Sequence, residues 1–490
     1  MNTGEPELNV RPLPDAVLVD IANYVCDFQI EHPDAYHTAR YSFNDALGCA
    51  FESLDYPECR HFLGPVVPDI VVTRGARVPG TGFELDPVSA AFNFGTMVRW
   101  LDSNDCFLAA ERGHPSDNLG AILTTADFLS RRRRASGKAP LTMRDVLTAQ
   151  IKAYEIQGGI SIKNSFTRIG CDHAALIRVA SAAVITHMFG GTRDQIISAV
   201  SNAWADGITL KAYRQAPNVG TRKNWAAGDA TSRGVQLALL ALRGAMTIPS
   251  VLTAKKFGFY EALYHGETFT FERPLGSYVM ENILFKFVPA DMLTQTAVEC
   301  AFKLRPRVLD RIDDIESITI RSQEAMIGIN DKTGPLHNAE DRDHCAQYVV
   351  AVALLSGRLT SPDLQDDFAA DPAIDSLRAK IRIVEDAGYT RDFYDPDKRS
   401  SANALEIRFK NGSHAPAMAI EYPLGHPRRR VEGFAMMDEK FRRNLARRFT
   451  GSAEAAILEL CADQARLEST AVDQFVDKCV VARQQDEDMK

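Results

Sequence analysis

Apolar positions in the first half of the chain recur at the three- and four-residue spacing of helices. Residues 142–145 and 192–195 form capping boxes, which mark the starts of helices. The helical pattern over 174–189 ends on Gly190-Gly191, a pair suited to a left-handed C-cap. The stretch from about residue 18 to the 250s is therefore predicted to be all-helical, with short joints that favour antiparallel neighbours.

The pattern changes character after about Glu281. Residues 315–321 and 405–409 alternate between apolar and polar, and Asn411-Gly412 follows the second run. This combination predicts strands and a hairpin. Helical patterns near 343–355 and 374–380 lie between the two strands, so this part is predicted to be a smaller α+β domain.

Helical periodicity returns from about Phe434 and continues to the end of the chain, where only the acidic tail after Arg483 lacks a pattern. These last helices are expected to rejoin the first domain. The predicted fold class is mainly α with an α+β second domain. The expected boundaries are 1–281 for the helical domain, 282–433 for the α+β domain and 434–490 for the returning helices.

Composition narrows the class of protein. The 490 residues carry a formal net charge of -8 without a basic domain, so nucleic-acid binding is not expected. Nine cysteines without a C-x-x-C pair favour a reducing, cytoplasmic compartment and disfavour zinc or iron-sulfur ligation by a compact motif. We also find no signal segment and no apolar run that would predict a membrane span.

A concentration of polar groups marks residues 93–120. Asp86-Pro87 predicts the start of a helix, and Asp102, Asp105 and His114 lie where that helix is expected to end. A carboxylate beside an apolar helix end must be paired, protonated or solvated in a cleft, because burying a bare charge is costly. Two interpretations stay open at this point: a reactive cleft, or a helix end whose polar residues face water.

Two cations stand out in a similar way. Lys223, with Arg222, lies just before a helical run, where the helix dipole disfavours positive charge unless an anion neutralises it. Lys286 interrupts an apolar run at the expected domain boundary. Arg168 and Arg222 are further candidates for a bidentate contact with a carboxylate. A solvated loop at Lys223 and an ordinary strand-edge lysine at Lys286 are the alternatives.

Candidate acid and base groups lie near these segments. His114 and His173 both occur at transitions from loop to helix, and histidine titrates near neutral pH. Asp102 could orient a histidine or act as the base itself. Tyr348 could donate a hydrogen bond to a substrate oxygen, or it could be a packed helix residue.

Several motifs occur in the following order: LGPVVP at 63–68, WLDSND at 100–105, GHPSDN at 113–118, NSFTRIGCDH at 164–173, APNVGTRKNWAAGDATSR at 216–233, GSYVMENILFK at 276–286, DRDHCAQY at 341–348 and EYPLGHPRRR at 421–430. Together they make the chain resemble the MmgE/PrpD family over nearly its whole length.

The resemblance implies a large helical domain with an α+β lid and a homodimer. It implies elimination of water from 2-methylcitrate to give 2-methyl-cis-aconitate, without a metal or another cofactor, and with aconitate hydratase as a side activity. The family's site residues match six positions of this sequence, namely Asp102, His114, His173, Lys223, Lys286 and Tyr348.

The sequence departs from the family pattern at two positions. Cys106 stands where relatives are expected to have threonine, so a hydroxyl hydrogen bond becomes a weaker thiol one at this substrate-binding position. Asp291 stands where the family's cis-aconitate decarboxylases carry a histidine. Decarboxylation of cis-aconitate and a non-catalytic scaffold that keeps the fold are the two alternative functions.

Overall fold

Two apolar cores organise the chain. The computed structural model describes residues 9–206 and 209–482, so the acidic tail after Arg483 lies outside the described residues. The first core contains the N-terminal helices together with side chains from 437–479. The second core contains side chains from 284–409, joined by Cys106 and Leu108. The prediction of a mainly α protein with a small α+β portion is confirmed.

The N-terminal part is helical, and its one sheet is a short antiparallel pair, β1 (Ala76–Arg77) with β2 (Glu84–Leu85). Its helices, in chain order, are α1 (Ala16–Asp27), α2 (Pro33–Ser53), α3 (Pro57–Arg60), α4 (Pro87–Arg99), α5 (Leu119–Ala135), α6 (Met143–Ser161), α7 (Ala174–Met188), α8 (Arg193–Ala205), α9 (Arg222–Leu242), α10 (Phe259–Ala262) and α11 (Tyr278–Asn282).

Several helix boundaries follow the capping signals. Asp86 accepts hydrogen bonds from the backbone of Val88 and Ser89 at the start of α4. Reciprocal side-chain contacts form capping boxes at the starts of α6 and α8. After α7, Gly190 has a φ of 81°, the left-handed conformation that glycine adopts without strain.

A four-stranded mixed sheet forms the centre of the lid. Its order is β4-β3-β5-β6, with β3 parallel to β4 and the other neighbours antiparallel. The elements, in chain order, are α12 (Gln295–Val308), β3 (Ile315–Ser322), α13 (Glu324–Asn330), α14 (Ala339–Arg342), α15 (Ala346–Ser356), α16 (Asp366–Ala369), α17 (Pro372–Arg378), β4 (Ile381–Glu385), α18 (Ala387–Tyr394), β5 (Asn403–Phe409) and β6 (Met418–Ile420).

The predicted strands and hairpin are present, with one irregularity. β5 and β6 pair with Leu405 opposite Met418, and Gly412 has a φ of 82° in the turn. Between the turn and β6, the only pairing that the described residues show is an isolated bridge from Arg408 to His414. The pattern did not predict β4, because its outer residues are exposed and do not alternate.

Four helices end the described chain: α19 (Arg430–Leu445), α20 (Gly451–Ala462), α21 (Gln464–Ser469) and α22 (Val472–Lys478). Lys440 of α19 is buried, and its ammonium donates to the Asp45 carboxylate at 2.7 Å. It also donates to the backbone carbonyls of Ser103 at 2.7 Å and Lys286 at 2.8 Å. This single ammonium ties α2, the segment after α4 and the entry to the lid together. Among the described helices, none is both long and apolar enough to cross a membrane.

α4 and α9 cross at glycines. A Cβ on Gly228 would lie 2.4 Å from the carbonyl oxygen of Phe92 and 2.3 Å from the Thr96 hydroxyl, and a Cβ on Gly95 would lie 2.9 Å from Cα of Gly228. The backbones of α4 and α9 are therefore so close at these positions that a residue with a Cβ would clash. This crossing sets the distance between the end of α4 and the start of α9.

We expect Gly228→Ala to lower the melting temperature by about 1–3 °C, because overpacking a close contact costs about 1–3 kcal/mol and a chain of this length loses about 1 °C per kcal/mol. Differential scanning calorimetry measures the change. Gly328→Ala in α13 is the matched control, since a Cβ there meets nothing within 4 Å. Equal melting temperatures for the two variants would contradict the close packing of α4 on α9.

Candidate active site

The site begins where α4 ends. Asp102 follows the helix by three residues, has a φ of 50° and is only 2% exposed. A left-handed conformation costs about 1–3 kcal/mol outside glycine and persists where surrounding contacts enforce it. The polar residues around it, Asp105, Glu111 and His114, are also buried. The structure therefore excludes the interpretation that this helix end faces water.

Three cations surround the Asp102 carboxylate. Its Oδ1 accepts hydrogen bonds from Arg99 Nη1 at 2.6 Å and from Lys286 Nζ at 2.7 Å. Lys223 Nζ lies 3.5 Å from the other carboxylate oxygen, Oδ2. Lys286 Nζ also donates to the Asp102 carbonyl at 2.7 Å. Burial alone would raise the pKa of Asp102, but Arg99, Lys286 and Lys223 outweigh it and hold the pKa well below its ordinary value. Asp102 is therefore a fixed anion among three fixed cations.

The lid contributes a second group of charges. Asp343 Oδ2 lies 2.6 Å from Lys223 Nζ, and Asp343 Oδ1 lies 2.5 Å from Nδ1 of His344. The other ring nitrogen of His344 lies 3.5 Å from Asp291 and 3.7 Å from Asp102. Because these contacts join the two cores, the site exists only where the lid meets the helical domain.

Two neutral imidazoles complete the cluster from the helical domain. His114 Nδ1 contacts the Asp105 carbonyl at 2.6 Å, so this nitrogen carries the proton. His114 Nε2 lies 3.5 Å from Asp102, and the His173 ring lies 5.9 Å from the His114 ring. His173 Nε2 is buried without a hydrogen-bond partner. Its lone pair is free to accept a proton.

Burial controls the charge of both rings. It lowers the pKa of His114 well below the ordinary value, and Arg99 and Lys286 lower it further. It lowers the pKa of His173 to about 3, although Asp172 acts in the opposite direction. Both imidazoles are therefore uncharged at neutral pH, as a general base must be.

Buried hydrogen bonds hold the segment between α4 and α5 in place. Asp105 accepts from the hydroxyls of Ser42 at 2.7 Å and Tyr154 at 2.8 Å and from the Ser116 backbone at 3.1 Å. Glu111 accepts from the backbone of Thr167 at 2.7 Å. These carboxylates position the loop that carries Asp102 and His114.

The structure brings together five of the sequence-predicted site residues: Asp102, His114, His173, Lys223 and Lys286. Lys223 is 2% exposed and Lys286 is 1% exposed, which excludes the solvated alternatives for both. Cys106 lies beside them, where its backbone pairs with Leu284. Burial raises the pKa of its thiol to about 12, so the thiol stays protonated.

The structure does not bring the other three predicted residues into this cluster. Arg222 pairs with Asp229 and stacks on Trp225, and Arg168 pairs with Glu267 near the surface. The Tyr348 hydroxyl donates to the Asp363 carbonyl at 2.7 Å inside the lid core.

Four residues of the cluster were not among the predicted site residues: Arg99, Asp291, Asp343 and His344. Asp343 and His344 belong to the same DRDHCAQY motif as Tyr348, and an acid next to a histidine was the available signal. Arg99 lacked a signal, because an arginine in the last turn of a helix normally complements the dipole.

Asp102, Asp343 and His344 have the donor atoms and spacing of a possible metal site. The Lys223 ammonium, however, already lies 2.6 Å from Asp343, 3.2 Å from His344 Nδ1 and 3.5 Å from Asp102. A metal ion would have to displace this positive charge. The cation at the centre of the trio is the lysine itself.

A cleft of about 1200 Å³ lies between the two domains. Arg112, Arg168 and Lys211 line it from the helical domain, and Tyr394 and Arg399 line it from the lid. Although burial acts in the opposite direction, His344 and then Arg112 lower the pKa of the buried Asp291, so the charge of the cleft lining acts on the cluster. The basic lining of the cleft suits an anionic substrate.

We expect acid to destabilise the protein in part through His173. An unfolded histidine binds a proton near its ordinary pKa of 6.5, whereas folded His173 binds one only near pH 3. Stability therefore falls as pH drops through this window, by up to about 1.4 kcal/mol per pH unit for one histidine. The free energy of unfolding, measured with urea between pH 6.5 and 4, should depend less steeply on pH in His173→Asn than in the wild type. The same change at exposed His61 should leave the dependence unaltered, and identical slopes in all three proteins would contradict the assignment.

Comparison with known proteins agrees with this architecture. The MmgE/PrpD N-terminal domain model matches residues 19–272, and the MmgE/PrpD C-terminal domain model matches residues 288–464. The chain is 55% identical to a Salmonella typhimurium protein and 56% identical to one from Cupriavidus necator, each over 97% of this chain and 99% of the relative. Both are named 2-methylcitrate dehydratase. A mitochondrial protein of that name from Yarrowia lipolytica is 50% identical, over 96% of this chain and 91% of its own length. With both domain models matched in order and with relatives this similar along nearly their full length, the chain belongs to the MmgE/PrpD family.

Proposed function

We propose that this protein is a hydro-lyase that eliminates water from 2-methylcitrate to form 2-methyl-cis-aconitate. Relatives with 54–56% identity over at least 96% of the chain bear the name of this activity. The observation that carries the proposal is the meeting of Lys223 and Lys286 at Asp102, beside two neutral imidazoles. Such a site offers both cations for a tricarboxylate and a base for a proton.

The chemistry needs positive charge near the reacting carbons. The reaction removes a proton from the carbon that bears the methyl group and a carboxylate, and negative charge develops on that carboxylate. Fixed cations that already face the site stabilise this charge without reorganisation. Lys223, Lys286 and Arg99 supply it, and the basic cleft lining favours entry of the substrate trianion.

His173 is the proposed base. Its Nε2 lacks a hydrogen-bond partner, is buried beside the cluster and is unprotonated at neutral pH. His114 lies next to it but has one nitrogen committed to the Asp105 carbonyl and the other turned to Asp102. Asp102 itself is saturated by three cations, which suits an orienting role better than proton abstraction.

Two alternatives are less well supported. Decarboxylation of cis-aconitate is associated with a histidine where this chain has Asp291, and Asp291 here lies 3.5 Å from His344. A non-catalytic scaffold has no need to keep buried charges from two domains in contact, because unpaired or poorly paired buried charges are destabilising. Neither alternative accounts for the names of the relatives.

We further propose that the protein works as a cytoplasmic homodimer in propionate breakdown through the methylcitrate cycle. The pathway follows from the name of the relatives' activity. The nine cysteines are free thiols, as a reducing compartment favours. An exposed apolar loop, with Val66, Val67, Ile70 and Val71, offers area for subunit contact.

We expect Lys223→Ala to lower kcat by about a hundredfold or more, because the transition state loses a preorganised cation. The assay follows ultraviolet absorbance of the new conjugated double bond after addition of 2-methylcitrate. Lys303→Ala, which changes a half-exposed lysine of the lid, is the control and should keep the wild-type rate. A normal rate in Lys223→Ala would contradict the site, and release of carbon dioxide from cis-aconitate would favour the decarboxylase.

Activity is expected to survive removal of metal ions. The lysine ammonium occupies the centre of the trio that could otherwise ligate a cation. Protein dialysed against a strong chelator should therefore dehydrate 2-methylcitrate at the rate of untreated protein. A loss of rate on chelation that added magnesium, zinc or iron restores would overturn this prediction.

A further inference from the structure

The proposed mechanism assigns a base but leaves the departing hydroxyl without a proton donor. Hydroxide is a poor leaving group, so an acid must protonate the oxygen as the carbon-oxygen bond breaks. Tyr348 donates its hydroxyl to the Asp363 carbonyl, and buried His114 is uncharged at neutral pH. The acid must therefore be sought among the residues that the lid brings to the cluster.

His344 is the ring in the cluster whose two nitrogens both face carboxylates. Nδ1 lies 2.5 Å from Asp343, and Nε2 lies 3.5 Å from Asp291 and 3.7 Å from Asp102. Carboxylates only accept hydrogen bonds, so each ring nitrogen can contact its carboxylate as an N–H donor. The His344 side chain is 17% exposed, compared with 10% for His114 and 7% for His173.

The charges around His344 come from both domains. Asp291 and Asp343 belong to the lid, whereas Asp102 and Lys223 belong to the helical domain, with Lys223 Nζ 3.2 Å from Nδ1. Lys286 and His114 face the same Asp102 carboxylate from its Oδ1 side. Three carboxylates and one ammonium therefore lie around the His344 ring.

The segment that carries His344 is fastened to the helical domain. Asn338 donates to the Val219 carbonyl at 3.2 Å, and Glu340 accepts from Asn224 at 2.6 Å. With the contact between Asp343 and Lys223, these bonds seat residues 338–344 against the start of α9. His344 is thereby held opposite the imidazoles of the helical domain.

From this geometry we infer that His344 is the general acid of the proposed dehydration, presented by the lid and oriented by Asp343. The inference rests on the proposed function. In the step, His173 Nε2 takes the proton from the methyl-bearing carbon, and that electron pair forms the new double bond. The bond to the hydroxyl oxygen breaks, and the proton on His344 Nε2 joins the departing oxygen to make water. The base then loses a proton to solvent and the acid regains one, so atoms and charge balance over a cycle.

The test compares His344→Gln and Asp343→Asn with the wild type, and exposed His414→Gln in the lid serves as the matched control. We expect His344→Gln to lower kcat at least a hundredfold with KM changed less than about fivefold, because the acid acts mainly in the transition state. The alkaline limb of the kcat profile, which reports loss of the acid's proton, should disappear. His414→Gln should keep both the rate and the limb.

Asp343→Asn tests the same assignment in a protein whose side-chain shape is conserved, and it remains informative if His344→Gln fails to fold. We expect its alkaline limb to move to lower pH, because an amide stabilises an imidazolium less than a carboxylate does. A purely structural role for Asp343 would change stability without moving the limb.

The outcomes separate the two proposals. If the wild type fails to form the double bond from 2-methylcitrate, the proposed function fails and this inference fails with it. If the wild type is active but folded His344→Gln keeps kcat within about threefold, or raises only KM, the inference alone is overturned. An alkaline limb that stays in place in Asp343→Asn would also overturn it.

Discussion

The site depends on one buried anion. Without Asp102, the cationic groups of Arg99, Lys223 and Lys286 would lose the carboxylate that they share, and burying charge with less compensation is costly. With it, each cation has a counter-ion that is itself held by a left-handed backbone turn. The positive charges are therefore present before any substrate arrives. In the proposed dehydration, this preorganised charge stabilises the negative charge that develops on the substrate carboxylate.

The division of the site between two cores follows from its chemistry. The helical domain supplies Asp102, Arg99, Lys223 and both neutral imidazoles, and the lid supplies Asp291, Asp343 and His344. Burial lowers the pKa of the two imidazoles of the helical domain and keeps them neutral, whereas both ring nitrogens of His344 face carboxylates. Two separately packed domains provide both environments within a few ångströms of each other.

Much of the fold was predictable from local pattern, because helix caps and alternation are encoded within a few residues. Asp86, the capping boxes and Gly412 all act where the sequence placed them. The site was partly predictable, since Lys223 and Lys286 conflicted with their local surroundings and so indicated a distant partner. Arg99 and His344 carried no such conflict. Arg99 contacts Asp102 only three residues away, but an arginine in the last turn of a helix is ordinary, and His344 meets Asp102 only through contacts between segments far apart in the chain. Strand β4 was missed for the same reason, since it becomes a strand by pairing with β3.

Lys440 gives the architecture an order of assembly. Its ammonium holds the carbonyls that adjoin Asp102 and Lys286, yet it lies in the last tenth or so of the sequence. During synthesis on the ribosome, α1–α11 and the lid emerge before α19 can reach back to them. The contacts of Lys440 with the site segments can therefore form only when translation has nearly finished. A nascent or C-terminally truncated chain that ends before α19 lacks these hydrogen bonds to the Ser103 and Lys286 carbonyls.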